Sequence, residues 1–149
     1  MLKDKLQSDL KAAMLSGDKL RASTLNMLKS AVLNQEIADG VREQGLSDEA
    51  VVSVFSKESK KRLDAAQMYS DSGNEEKAEA ERAEQRIISE YLPAQLTEDQ
   101  LSVIVNEIIS ANGDVSMKDM GKLIGQVKAK VGNTADGALI ATMVKQKLA

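Results

Sequence analysis

The 149-residue sequence contains no cysteine and no histidine. The first absence removes disulfides, thiolate nucleophiles and thiolate metal sites, and the second removes the imidazole base and the usual zinc ligand. No metal site is expected, and only carboxylate, lysine or hydroxyl chemistry is left open. Also missing are a glycine-rich phosphate loop ending in Gly-Lys-Ser/Thr, a Gly-x-Gly-x-x-Gly turn after a strand, and a serine elbow, so no cofactor is expected. Aromatics are limited to Phe55, Tyr69 and Tyr91. A core must then be built from Leu, Ile, Val, Met and Ala, a set that suits helix packing, and the expected fold class is all-α. No apolar run approaches the roughly 20 residues needed to cross a bilayer. The N-terminus carries Lys3, Asp4 and Lys5 and lacks a hydrophobic signal segment, so a cytoplasmic protein with no membrane partner is expected.

Proline is nearly absent too. Pro93 is the only one, and it lies between two stretches that both read as helix. It lacks the N–H of an interior helical residue and pushes its predecessor out of helical geometry, so the helix before it must end by about Leu92. Thr97-Glu98-Asp99-Gln100 then has the form of a capping box opening a new helix. These signals divide the chain into an N-terminal domain over 1–92, a hinge over 93–96 and a C-terminal domain over 97–149.

Before the hinge, four helices are expected. Leu2, Leu6, Leu10 and Met14 recur every four residues up to the Ser16-Gly17-Asp18 break, giving a helix over roughly 2–15. Leu20, Leu25, Leu28, Ala31, Val32 and Gln35 form the mainly apolar stripe of a second, from Lys19 to about Ala38. Ser47-Asp48-Glu49 starts a long third helix with Val51, Val52, Phe55, Leu63, Ala66 and Tyr69 inward. A turn at Gly73-Asn74 leads to a fourth from Glu75 to Leu92, which makes a hairpin with the third. Its acidic run, Glu75, Glu76, Glu79, Glu81 and Glu84, reads as a solvated face interrupted by Lys77, Arg82 and Arg86. Beyond the hinge, Leu101, Ile104, Val105, Ile108 and Ile109 fit a helix template without a miss. Ser116-x-x-Asp119 opens the next helix, with Met120, Leu123, Ile124, Val127 and Val131 inward. A last one from about Ala135 carries Leu139, Ile140, Met143, Val144 and Leu148. The tail is therefore read as a three-helix bundle.

Although the formal net charge is −3, residues 117–149 carry Lys118, Lys122, Lys128, Lys130, Lys145 and Lys147 against Asp119 and Asp136. Such asymmetry steers a polyanion to one end. Gly121 and Gly125 lie one helical turn apart with Lys118 and Lys122 near the same face, an arrangement that brings a flat, positively edged surface to a sugar–phosphate backbone. Helix N-terminal amides around Ala135–Gly137 offer an anion site. The alternative is structural: both glycines admit a neighbouring helix, and Asp136 is only a cap.

Several blocks together resemble the GatB/YqeY family. They are Tyr91-Leu92-Pro93-x-Gln95-Leu96, Met117-Lys118-Asp119-Met120-Gly121-Lys122-Leu123-Ile124-Gly125 and Ala135-Asp136-Gly137, with Lys19-Leu20-Arg21-x-Ser23-Thr24-Leu25-x-Met27-Leu28-Lys29 and Lys57-Glu58-x-Lys60-Lys61-Arg62-x-Asp64 upstream. The resemblance implies a four-helix N-terminal domain followed by a three-helix tail. The same pair ends one subunit of the glutamine-dependent tRNA amidotransferase, and the tail of that subunit touches the tRNA elbow. It further implies tRNA as partner and Lys118, Gly121, Lys122, Gly125, Lys128, Lys130 and Gly137 as nucleic-acid-binding positions. The kinase-like and amidase parts of that enzyme have no counterpart in this sequence. No catalytic residue is therefore assigned, and a carbon–nitrogen ligase activity with glutamine as amido donor would come only through a partner. Where many relatives carry Lys-Gly-Arg-Ala-Asp-Gly-Lys, this chain has Val131-Gly132-Asn133-Thr134-Ala135-Asp136-Gly137-Ala138, with one extra residue and no basic side chain on either side of Asp136, and Ala94 replaces a frequent lysine after the proline. Fewer phosphate contacts mean a shallower salt dependence.

Two readings follow. The first is a non-catalytic module that binds or handles tRNA; the second is an accessory factor that uses the acidic hairpin to meet an amidotransferase or another translation protein. An enzyme resting on Glu58 and Asp64 near Lys60 and Lys61 ranks third, because those residues suit surface helix pairs.

Overall fold

Side-chain caps set most of the helix starts. A computed structural model describes residues 1–149, which are 79% helical, with seven helices and no strand. They are α1 (Leu2–Ser16), α2 (Lys19–Ala38), α3 (Asp48–Asp71), α4 (Glu75–Ser89), α5 (Glu98–Ala111), α6 (Met120–Val131) and α7 (Gly137–Leu148). Asp18, Ser47 and Asn74 each accept an amide of the first turn that follows, at 3.1, 3.2 and 3.2 Å. The Thr97 box is complete: its hydroxyl accepts the Gln100 backbone N–H at 3.1 Å and the Gln100 side-chain Oε1 accepts the Thr97 N–H at 3.0 Å. Each such cap is worth about 1 kcal/mol. Gly17, at φ 76°, closes α1 in a left-handed conformation that a side chain would resist.

The chain divides into two compact units, Met1–Leu92 and Pro93–Ala149. In the first, Leu6, Leu10, Leu25, Leu28, Val32, Val51, Val54, Phe55, Ile87, Ile88 and Tyr91 form one buried cluster. In the second, Leu101, Val105, Leu123, Val127, Val131, Ile140 and Val144 form another. No helix is long and apolar enough to cross a membrane.

Several phases differ from the periodicity reading. Met14 and Leu20 are exposed, and Ala13 is buried in place of Met14. A four-residue step overshoots a full turn by about 40°, so Met14 has rotated off the face that Leu6 and Leu10 define, whereas Ala13 has not. On α3, Leu63 is exposed while Ser59 and Arg62 take the inner face. Ser59 accepts from Gln85 Nε2 at 3.1 Å, and Arg62 is neutralised by Glu58 and by Glu84 at 3.5 Å. A buried arginine is tolerable because its stem packs and its head is paired. Glu36, 3% exposed, is another unforeseen core polar group, bound by Lys3 at 2.7 Å.

The end of α4 comes at Ser89, three residues earlier than expected. Glu90, Tyr91 and Leu92 instead donate to Ile87, Ile88 and Ser89 at 3.3, 3.0 and 3.1 Å. These i to i−3 bonds tighten the last turn and let Leu92 leave helical geometry before Pro93. Tyr91 is then clamped within the first unit. Its ring meets Phe55 edge-on at 5.8 Å, Lys5 Nζ lies 4.5 Å above it, and its hydroxyl donates to Asp9. Arg21 doubles the clamp by pairing with Glu90 at 2.6 Å.

This clamp has a pH signature. The Tyr91 hydroxyl, and then Lys5, hold the Asp9 carboxyl below the ordinary aspartate range. Asp9 therefore contributes stability that is present above the unfolded-state value and is lost as pH falls through its lowered folded value. Burial, and then Asp9, push the Tyr91 phenol above the ordinary tyrosine range. Its contribution is complete below the unfolded tyrosine value and is lost as pH rises toward the raised one. In urea titrations from about pH 7 to pH 2, the stability gap between wild type and Asp9→Asn should close through the acid limb. A gap independent of pH would contradict this.

Candidate nucleic-acid interface

The inner face of α6 is Leu123, Val127 and Val131, all buried. A helix that buries those positions must turn Gly121, Lys122 and Gly125 to the opposite side, and Lys118 lies in the turn that leads into it. All four are exposed. The start of this face is fixed by Ser116, whose hydroxyl accepts the Lys118 N–H at 3.4 Å while its own N–H donates to Asp119 at 3.0 Å. A 3₁₀ turn over Met117–Asp119 leads into α6, so Lys118 lies in that turn and not in the helix that the sequence suggested.

Neither glycine admits a neighbouring helix. A Cβ built on Gly121 or Gly125 meets nothing within 4 Å, and neither residue has a positive φ. Ala129, one turn beyond Gly125 and also exposed, extends the small-residue surface; its i+4 spacing from Gly125 is the sequence signal that marks it.

The other expected positions separate. Lys128 leans across to α7, and a Cβ on Gly137 would lie 3.3 Å from its Cε and Nζ, so Gly137 is where α7 makes room for this lysine. Lys130 points to the opposite flank and lies 3.5 Å from Glu107 of α5. The start of α7 is Gly137 and not Ala135, because Asp136 is its cap and accepts the Ala138 N–H at 3.3 Å. The amide end expected as an anion site thus already holds an in-chain carboxylate.

Several carboxylates of the first unit are engaged in ion pairs. Glu58 is not a surface residue: its side chain is 13% exposed and is held by Lys61 at 3.1 Å and by Arg62. Burial alone would raise its pKa, but the hydrogen bonds from Lys61 and Arg62 outweigh that and hold it below the ordinary range. On α4, Arg82 lies 3.5 Å from Glu75 and 3.6 Å from Glu79, and Arg86 lies 2.5 Å from Glu79. No group of three or more acidic side chains is arranged to hold a metal ion.

Comparison with known proteins adds a family. The family model described as Yqey-like protein matches residues 3–148. Among curated proteins, the chain is similar to proteins called altered inheritance of mitochondria protein 41, mitochondrial. It is 28% identical to that of Meyerozyma guilliermondii over 82% of this chain and 66% of the relative. It is 27% identical to that of Vanderwaltozyma polyspora over 77% and 64%, and 28% identical to that of Lachancea thermotolerans over 95% and 78%. The match thus spans just under two thirds of the length of the first two relatives.

Proposed function

The chain belongs to the YqeY-like family, and from that premise we propose that its second unit is a non-catalytic module that binds the sugar–phosphate backbone of RNA, with tRNA as the substrate class. The observation that carries the reading is the outward face of α6. Two glycines inside a helix each cost about 1 kcal/mol relative to alanine. Gly125, inside α6, carries that cost in full and Gly121, the second residue of the helix, carries part of it; no atom lies within 4 Å of a Cβ built at either, so neighbouring packing does not require a glycine there. A bare helix backbone lets a phosphate strand approach the peptide groups closely, and Lys118 and Lys122 on the same face supply the charge that displaces counterions. After Tyr91 there is no aromatic side chain, so base stacking is unavailable and recognition is of shape and backbone.

The acidic hairpin supports the accessory-factor alternative less well, because Arg82 and Arg86 already neutralise part of it. Amide transfer, on this reading, belongs to a partner protein. Fluorescence anisotropy with whole tRNA tests the proposal. The wild type should bind and Lys118→Glu/Lys122→Glu should bind at least about tenfold more weakly; equal affinities for the two proteins would refute it.

A further inference from the structure

Between α2 and α3 the first unit has a cleft of about 380 Å³ lined by Met27, Ser30, Ala31, Asn34, Gln35, Val54, Lys57, Glu58 and Lys61. Its geometry is regular. Met27, Ser30, Ala31 and Asn34 are spaced i, i+3, i+4 and i+7 on α2, and Val54, Lys57, Glu58 and Lys61 have the same spacing on α3, so one stripe of each helix lines the cleft. Facing stripes at such spacing are ordinarily apolar and close on each other. Here Met27, Ala31 and Val54 supply an apolar floor, and the remaining positions are polar or charged.

The charges do not cancel inside the cleft. Glu58 is taken up by Lys61 and by Arg62, and Arg62 is further matched by Glu84 at 3.5 Å. Lys57, one turn before Lys61, has no carboxylate within ion-pair distance and no hydrogen-bond partner, and the Asn34 amide has none either. Ser30 directs its hydroxyl hydrogen to Asn26 O at 3.2 Å, which leaves its oxygen free to accept.

We propose that this cleft binds a small organic anion, with its carboxylate or phosphate on Lys57 and the Asn34 amide and its carbon body on Met27, Ala31 and Val54. The volume falls in the range of small-molecule sites. One charge-assisted hydrogen bond and one amide bond over an apolar floor suit a metabolite of a few carbons and one terminal anionic group. The cleft lies wholly in the first unit, so this inference stands apart from RNA binding by the second.

The test is a ¹H–¹⁵N NMR titration of the full chain with succinate in one arm and glycerol 3-phosphate in the other, at ionic strength matched with sodium chloride. Saturable shifts of the Asn34 side-chain amide and of the Lys57 backbone amide are expected, with half-saturation near or below about 1 mM for at least one probe. Lys57→Gln should weaken that binding about tenfold, whereas Lys29→Gln, on α2 but outside the cleft, should not change it. Whichever probe binds more tightly identifies the anionic group. Absence of saturable shifts with both probes, or equal weakening by the two substitutions, overturns the proposal.

Discussion

Replacing Gly121 and Gly125 together by alanine should make the second unit more stable by about 1–2 kcal/mol while weakening its binding to tRNA about tenfold. The stability gain follows from the helix preference of alanine over glycine, about 1 kcal/mol at Gly125 and less at Gly121 in the first turn of α6, and from the open space that would receive each methyl group. The binding loss follows because each methyl stands where a phosphate strand would approach the helix backbone. Gly121→Leu/Gly125→Leu sharpens the test. Leucine is also a good helix former, so the unit should stay folded, but the face is then closed and binding should disappear. Urea denaturation and tRNA anisotropy on the same preparations separate the two effects. If the alanine pair raised stability and left binding intact, the glycines would not be a contact surface.

Leu123→Ala should unfold most of the second unit at 25 °C. Leu123 is fully buried at the centre of the cluster that joins α5, α6 and α7. Truncating a buried leucine costs about 2–5 kcal/mol through lost transfer energy and the cavity that remains. A unit of about 60 residues has only a few kcal/mol in hand. Amide hydrogen exchange along α5, α6 and α7 should lose its protection, whereas Leu123→Met should cost less than about 1.5 kcal/mol. Val103→Ala offers a control, since Val103 is 56% exposed and its truncation leaves no cavity. Protection that survived Leu123→Ala would mean that the unit is held by something other than this core.

Helix starts were legible wherever the signal is local. The hydroxyls and carboxylate of Asp18, Ser47 and Thr97 cap within one turn, so the residues that act are adjacent in sequence. Helix phase was less legible. Apolarity favoured Met14 and Leu63, yet Ala13 and Arg62 face inward, and Arg62 can do so only because Glu58 and Glu84 meet it there. That compensation is partly tertiary and leaves no periodic signal. The candidate site divides in the same way. Spacing alone puts Lys118, Gly121, Lys122 and Gly125 on one face, but only the packing of α5, α6 and α7 decides that the face is uncovered. Lys128, Lys130 and Gly137 looked equivalent in sequence, and the structure assigns each a different neighbour. The cleft between α2 and α3 was invisible for a related reason, since either polar stripe alone reads as a solvated surface.

The salt dependence of tRNA affinity tests RNA-backbone binding by the outward face of α6 most directly. Each phosphate contact contributes about 0.7–0.9 to the slope of log K against log salt. Wild type should give a clear negative slope, and Lys118→Glu/Lys122→Glu should bind at least about tenfold more weakly with a slope shallower by about 1.5. A wild-type protein that fails to bind tRNA at low salt, or a double variant that matches it in affinity and slope, would contradict an RNA-binding role for this face.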